Sequence, residues 1–242
     1  MPHIEIAAEH IIGFVTNTLL SAWVVLLVWA GIAFFLSKGK ELVPSMLQNV
    51  VEIVLEALLG LLEDVFGSRR DAERYLPLIG TIFLFILTSN WLGIVPGFGS
   101  VGFFAVHEGQ QTFVPFLRSG ASDLNTTLAL AIVAMVLVQI FGIMTIGFVR
   151  HVSKFFTLKT PIDFFVGILE FISELAKIIS FSFRLFGNIF AGEVLLIVMG
   201  ALAPYLVPVP FLGLELFVGF IQALVFAMLT MVFIEIATTE HY

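Results

Sequence analysis

Long apolar stretches separated by polar connections dominate this sequence. A membrane-spanning helix takes about 20 consecutive apolar residues, and five stretches reach that length. The five predicted spans are residues 11–36, 75–95, 124–149, 162–203 and 211–237. The pattern therefore predicts an all-α integral membrane protein whose 242 residues form a single membrane domain.

Residues 44–66 show a different, amphipathic pattern. Polar side chains recur there at three- to four-residue spacing, opposite an apolar face. The polar positions are Gln48, Asn49, Glu52, Glu56 and Glu63. This spacing predicts a helix with Pro44 in its first turn that lies along the membrane surface instead of crossing it. Because the polar face is acidic, anionic lipid is a poor partner, and the face contacts either another protein or solvent.

The predicted span 162–203 is longer than one crossing requires. Between Pro161 and Pro204 no strong turn signal ends the helix, and about 42 residues extend roughly 63 Å. The hydrocarbon core is only about 30 Å thick. Two arrangements fit: one steeply tilted helix, or two antiparallel spans that meet near Gly187. We favour the single tilted helix, because no Lys or Arg flanks such a turn except Arg184, and we expect the last span to tilt as well.

Basic residues are concentrated on alternate connections between the spans. Of the 11 Lys and Arg residues, five fall within 38–74 and three within 150–159, whereas the 204–210 turn has none. The irregular 96–122 connection has only Arg118. The positive-inside rule then predicts an N-terminus outside the membrane and, after five crossings, a cytoplasmic C-terminus.

The composition narrows the function classes. Charged residues make up 12% of the chain, against about 25% in soluble proteins. A net charge of -7 without a basic cluster excludes a nucleic-acid binder, and the absence of cysteine excludes disulfides and Cys-ligated metals. All five histidines lie outside the predicted spans: His3, His10, His107, His151 and His241. With no Ser-His-Asp set, metal-ligand cluster or phosphate-binding loop, we expect neither a catalytic site nor a cofactor.

Ionisable side chains within the predicted spans are the most informative feature. Each costs about 2.5–3.5 kcal/mol on insertion scales, so such a group is a candidate functional residue. The two C-terminal spans contain Glu170, Glu174, Lys177, Arg184, Glu193, Glu215 and Glu235, with Gln222 in the last span. Glu174 and Lys177 stand three residues apart on one helix face and can pair, which either neutralises both or gives them a direct role.

Arg184 has no acidic neighbour within reach on its own helix. Because an arginine stays protonated in proteins, its charge requires a partner from elsewhere. Either the last span supplies it, through Glu215 or Gln222, or another chain does. Carboxylates lie on both sides of Arg184 along the helix axis, which predicts two acidic clefts that do not meet, with a fixed cation between them.

Small residues surround Arg184 on the same helix: Gly187, Ala191 and Gly192. Small side chains allow close helix approach. They serve either a second helix of another subunit or ordinary packing within the chain.

Four motifs follow one another along the chain. The longest runs from Ser182 to Glu193 and reads SFRLFGNIFAGE, and the others are NWLGIVP at 90–96, DLNTT at 123–127 and QA at 222–223. In order and content these motifs resemble subunit a of F-type ATP synthases, the stator half of a membrane rotary motor. The resemblance extends from about residue 75 to the end and implies a proton-translocating subunit without a catalytic site.

The resemblance also implies a role for each matching residue. In that family, subunit a stands beside a ring of c subunits that each carry an ion-binding carboxylate, and protons reach and leave the ring through two offset half-channels. Arg184 is then the arginine that attracts the deprotonated ring carboxylate and blocks leakage between the half-channels. The other implied positions are Asn188 and Gln222 beside the arginine, Glu193 and Glu215 in the outer half-channel, and Glu170, Glu174 and Lys177 at the inner one.

The Glu215 position varies among the proteins that the chain resembles. Many bacterial members carry His there and others Glu, so a carboxylate takes the place of an imidazole in this chain. The partners that the resemblance implies are the c-subunit ring, the peripheral-stalk b subunits and the lipid bilayer. We expect a bacterial inner membrane and protons as the transported ion.

A stand-alone proton-coupled secondary transporter is the alternative. Such proteins also hold carboxylates within the membrane. The sequence has no internal repeat and no matching pair of broken helices, which favours the stator subunit. Purification separates the two, because a transporter is active alone and a stator subunit is inert without its ring.

Overall fold

Helices make up nearly all of the structure. The computed structural model describes residues 10–12, 15–38, 46–95, 97, 101–107, 110–153, 155, 161–203 and 207–239. The helices in these ranges are α1 (Asn17–Lys38), α2 (Met46–Phe66), α3 (Arg69–Ile94), α4 (Leu124–Ile146), α5 (Phe148–Ser153), α6 (Pro161–Leu202) and α7 (Pro208–Thr238). Within the described residues, α1, α3, α4, α6 and α7 are long and apolar enough to cross a membrane. The predicted all-α membrane fold with five spans is therefore confirmed.

Two small antiparallel hairpins interrupt the helical pattern. The first pairs β1 (His10–Ile12) with β2 (Val15–Thr16), and the second pairs β3 (Gly102–His107) with β4 (Gln110–Pro115). The first helix consequently starts at residue 17, not at residue 11 as predicted. The second hairpin corrects the expectation of an irregular 96–122 connection.

Several other boundaries differ from the prediction, among them the start of the last span, which lies at Pro208 and not at residue 211. The second span begins at Arg69, six residues before the predicted start, because the helix continues through its charged first turns. The third ends at Ile146, since Gly147 adopts a φ of 92° and turns the chain into the short helix α5. Helix α2 begins at Met46, and Pro44 lies outside the described residues.

Helix α6 is continuous over 42 residues, which confirms the single helix over the two-span alternative. It runs antiparallel to α7, with Gly192 opposite Glu215. The Phe181 ring meets the Phe226 ring at a centroid distance of 4.7 Å. At about 1.5 Å per residue, α6 is longer than a bilayer core is thick, so it tilts or extends beyond the hydrocarbon.

The core lies between α3, α4, α6 and α7, with the C-terminal half of α2 against α3. Leu58 and Leu62 of α2 are buried there. On α6, Phe181, Leu185 and Ile189 are buried at every fourth position, so one face of that helix packs inward and the opposite face remains exposed.

Candidate functional site

Arg184 lies halfway along α6, on the exposed face of that helix. Its Nη2 donates to the Ser180 hydroxyl at 3.4 Å, and the Asn188 amide donates to the Arg184 carbonyl at 3.0 Å. Within the described part of the chain, the guanidinium forms no ion pair. Neither Glu215 nor Gln222 binds it, so the last span does not supply the partner that the charge requires.

The small residues around Arg184 lie on two different sides of α6. Gly187 and Ala191 are exposed beside Arg184, and a Cβ at Gly187 would meet no atom within 4 Å. Gly192 instead faces α7, where a Cβ would come within 3.2 Å of the Glu215 carboxylate. Packing within the chain is thus confirmed for Gly192, and the approach of a second helix at Gly187 and Ala191 stays a prediction.

Toward the C-terminal end of α6 lies a group that we call the Arg118 cluster, comprising Arg118, Glu193 and Glu215. The Arg118 Nη2 lies 3.4 Å from Glu193 Oε2, and the Arg118 side chain is only 11% exposed. Glu215 is 8% exposed. Its Oε2 is buried without a hydrogen-bond partner among the described residues. The cluster therefore combines one paired carboxylate with one that is incompletely satisfied.

Residues of the 90–96 motif fix α7 beside this cluster. Asn90 donates its amide to the Gly219 carbonyl at 3.0 Å, and Trp91 donates its indole N–H to the Leu216 carbonyl at 3.1 Å. Both acceptors lie within one helical turn of Glu215. These bonds hold the carboxylate at a defined depth against α6.

Toward the N-terminal half of α6 lies a second group, the His151 network, comprising His151, Gln139, Glu174 and Lys177. Lys177 donates to Glu174 Oε1 at 2.6 Å, which confirms that the two side chains pair. Gln139 of α4 donates to Glu174 Oε2 at 3.0 Å. His151 Nε2 lies 2.6 Å from Gln139 Oε1. Side chains of three helices thus form one network around Glu174, with His151 of α5 joined to it through Gln139.

Sequence reasoning missed three members of these groups. Arg118 is the only basic residue of the 96–122 connection, and this isolated charge could have marked it as a candidate site residue. Gln139 is a lone polar side chain in an apolar helix, which typically finds a protein partner in a membrane. His151 lies outside the spans as predicted, yet it is buried because α5 folds back onto α4.

The remaining predicted site residues are not drawn into either group. Glu170 is exposed on α6. Gln222 is half-buried on α7. Glu235, also on α7, accepts a hydrogen bond from the Thr239 hydroxyl at 3.0 Å. The polar side chains along α6 therefore divide into a half-buried pair, Glu174 and Lys177, and exposed residues on either side of that pair.

The 123–127 motif is a helix start that also braces α6. Asp123 caps α4 by accepting from the backbone N–H groups of Asn125 and Thr126, and it accepts from the Thr18 hydroxyl of α1 at 3.2 Å. Thr127 and Ser182 share a hydroxyl hydrogen bond of 3.1 Å. That bond fixes α6 to α4 two residues before Arg184.

Comparisons with known proteins agree with the fold and the motifs. The family model described as ATP synthase A chain matches residues 18–235. The chain is 38% identical over 225 residues to ATP synthase subunit a of Gloeobacter violaceus, covering 93% of this chain and 85% of that protein. It is 33% identical over 236 residues to ATP synthase subunit a of Campylobacter fetus, covering 96% of this chain and 94% of that protein. The chain belongs to the ATP synthase A chain family.

Proposed function

We propose that this chain is the stator of the proton-driven rotary motor, with two offset half-channels that lead to the carboxylates of a c-subunit ring and with Arg184 between them. Family membership makes it a multi-pass membrane subunit of the ATP synthase complex, with a role in proton translocation and no catalytic site of its own. That membership favours the stator subunit over the stand-alone transporter.

The exposed, unpaired guanidinium of Arg184 is the observation that carries this proposal. A charge of this kind within a membrane span needs a counter-ion, and no described carboxylate of the chain provides one. The neighbouring Gly187 and Ala191 leave room for a helix to approach closely. A ring carboxylate that arrives without its proton satisfies both the charge and the shape of this surface.

The two groups of polar side chains supply the routes to this meeting point. Glu193 lies nine residues beyond Arg184 and Glu174 ten residues before it, so each is roughly 13–15 Å away along the helix axis. A proton that enters beside Glu193 and Glu215 neutralises a ring carboxylate, which then leaves Arg184. After rotation the carboxyl group releases its proton on the side of Glu170 and Glu174, and the resulting anion returns to the arginine.

The remaining assignments follow from the same proposal. The Arg118 cluster then lies toward the outer face of a bacterial inner membrane and the His151 network toward the cytoplasm, with the N-terminus outside and the C-terminus inside. Asn188 and Gln222 are polar neighbours of Arg184. The polar face of α2, including Glu52 and Glu56, is exposed and available to a partner protein. The proposed partners of the chain are the c ring and the peripheral-stalk b subunits.

The test is Arg184→Ala in the assembled complex, reconstituted in sealed vesicles. We expect ATP synthesis driven by an imposed proton gradient to fall to background, because the ring carboxylate loses its counter-ion. Arg70→Ala is the matched control, since this arginine is exposed in the first turn of α3 and should leave synthesis intact. Near-normal synthesis by Arg184→Ala would contradict the proposal.

A second experiment separates the stator from a transporter. The tagged chain is purified from membranes and tested for a co-purifying c ring. The purified chain without ring subunits is then reconstituted and should conduct no protons. Proton flux through the chain alone would favour the transporter.

A further inference from the structure

We propose that His151 and Gln139 are positioning residues for the inner half-channel: His151 orients the Gln139 amide so that it holds the Glu174 carboxylate in place. The inference rests on the proposed function, which places Glu174 at the inner half-channel. It adds two residues that the family motifs do not include. It also gives the short helix α5 a task in proton transfer.

The chemistry of the donors and acceptors fixes the direction of every bond in the network. Lys177 has only donors, so the Glu174 oxygen at 2.6 Å accepts from it. The other carboxylate oxygen accepts from the Gln139 NH₂ at 3.0 Å, which turns the amide oxygen toward α5. That oxygen can only accept, so His151 Nε2 carries a hydrogen and donates across 2.6 Å.

The orientation of the amide matters because its two ends have opposite effects on a carboxylate. With its NH₂ toward Glu174, Gln139 stabilises the charge; reversed, it would present a second oxygen to an anion. A buried, misplaced polar group of this kind is costly. The hydrogen bond from His151 excludes the reversed orientation and so keeps Glu174 bound on both oxygens.

The imidazole ring of His151 is buried and closely packed. His151 is 4% exposed, and a Cβ on Gly142 of α4 would come within 2.6 Å of its Cε1. A glycine inside a helix is less stabilising than an alanine. Phe155 covers the ring at a centroid distance of 6.2 Å. Helix α4 therefore has a glycine at the position where a larger side chain would collide with the imidazole ring.

His151 does not need a positive charge for this role, as the charged groups around the network show. From α6 they are Glu174 and Lys177, which already neutralise each other. The α7 backbone contributes the Ala237 carbonyl, 3.0 Å from the Cβ position of Gly142, and α5 itself contributes Arg150, which is exposed. His151 only has to donate one hydrogen bond. We therefore expect a side chain that donates from the same position, but does not titrate, to perform the same role.

The experiment measures passive proton conduction through the membrane sector in vesicles that contain the assembled complex, with the pH of each face varied separately. We expect Gln139→Leu to slow conduction about tenfold, the factor for one lost hydrogen bond to a charged group, and His151→Leu to do the same because it frees the Gln139 amide to turn away from Glu174. The double variant should be no slower than either single one. Because the half-channels act in series, a slower inner half-channel should make conduction depend more strongly on the inner-face pH and less strongly on the outer-face pH.

Two further variants separate positioning from packing. His151→Gln places an amide N–H near the position of Nε2 and should restore most of the conduction. Phe155→Leu loosens the packing of the ring without removing the hydrogen bond and should conduct like the parent. Gly142→Ala pushes the ring away and should behave like His151→Leu. The amount of assembled complex is measured for each variant.

Three results would overturn the inference. They are parental conduction in both leucine variants, failure of His151→Gln to conduct better than His151→Leu, and an equal change in the pH dependence at both faces. The proposed function fails separately, through ATP synthesis by Arg184→Ala. A complex that needs Arg184 but is indifferent to His151 and Gln139 would refute this inference alone.

Discussion

The Arg118 cluster and the His151 network satisfy their carboxylates to very different degrees. In the His151 network both oxygens of Glu174 are bound, at 2.6 Å and 3.0 Å. In the Arg118 cluster Glu193 is held by one longer contact of 3.4 Å. Glu215 keeps a buried oxygen without a partner among the described residues. The two sides of Arg184 therefore offer a proton unequal environments.

Within the proposed function, this difference favours separate roles for the two carboxylates. A carboxylate bound on both oxygens is held as a fixed charge, which organises its surroundings. A buried carboxyl group with a free oxygen has an unfilled position for a proton or a second donor, and leaving it unfilled costs about 1–3 kcal/mol. Within the proposed function, we therefore assign the exchange of the transported proton to Glu215 and a positioning role to Glu174.

The largest expected effect comes from removing the exchangeable group. Glu215→Gln should slow proton conduction on the order of 10²-fold, the usual factor for a positioned proton-transfer group, without preventing assembly. Glu174→Gln is the matched variant and should slow conduction only about tenfold, because it removes a bound charge. Conduction through the membrane sector in vesicles measures both. Equal losses of conduction in the two variants would contradict the different roles assigned to Glu215 and Glu174.

An intermediate effect is expected at Arg118. Arg118→Leu leaves Glu193 without its cation, and we expect conduction to fall about tenfold, the factor for a lost charged hydrogen bond. The loss should be accompanied by a stronger dependence on the outer-face pH, the mirror image of the His151 variants. Arg150→Leu provides a control on the opposite side. Unchanged conduction in Arg118→Leu would remove the arginine from the pathway.

The smallest effect is expected where α6 and α7 touch. Gly192→Ala brings a methyl group to about 3.2 Å from the Glu215 carboxylate, while alanine favours the helix by about 1 kcal/mol. We expect a normal amount of complex and conduction reduced about threefold by the displaced carboxylate. Gly200→Ala, in open space on the same helix, should have no effect. An equal loss in both would indicate a general effect on α6.

Local patterns predicted the helices, because hydrophobic length and periodicity depend on neighbouring residues. The continuous α6 and the missing partner of Arg184 both followed from residues within one or two helical turns. Arg118 and Glu193, in contrast, are separated by 75 positions, and a contact of that kind leaves no periodic trace. His151 was missed for a related reason: the positive φ of Gly147 returns the chain to α4, and hydropathy cannot show that reversal.

The outward position of Arg184 has a consequence for biogenesis. A newly inserted copy that has not yet met its ring would expose a guanidinium to acyl chains, at a cost of about 2.5–3.5 kcal/mol on insertion scales. Within the proposed function, docking of a c ring would remove that cost, so we expect unassembled copies to be less stable than assembled ones. On that proposal, the charge of Arg184 would favour assembly of the complex in addition to its part in rotation.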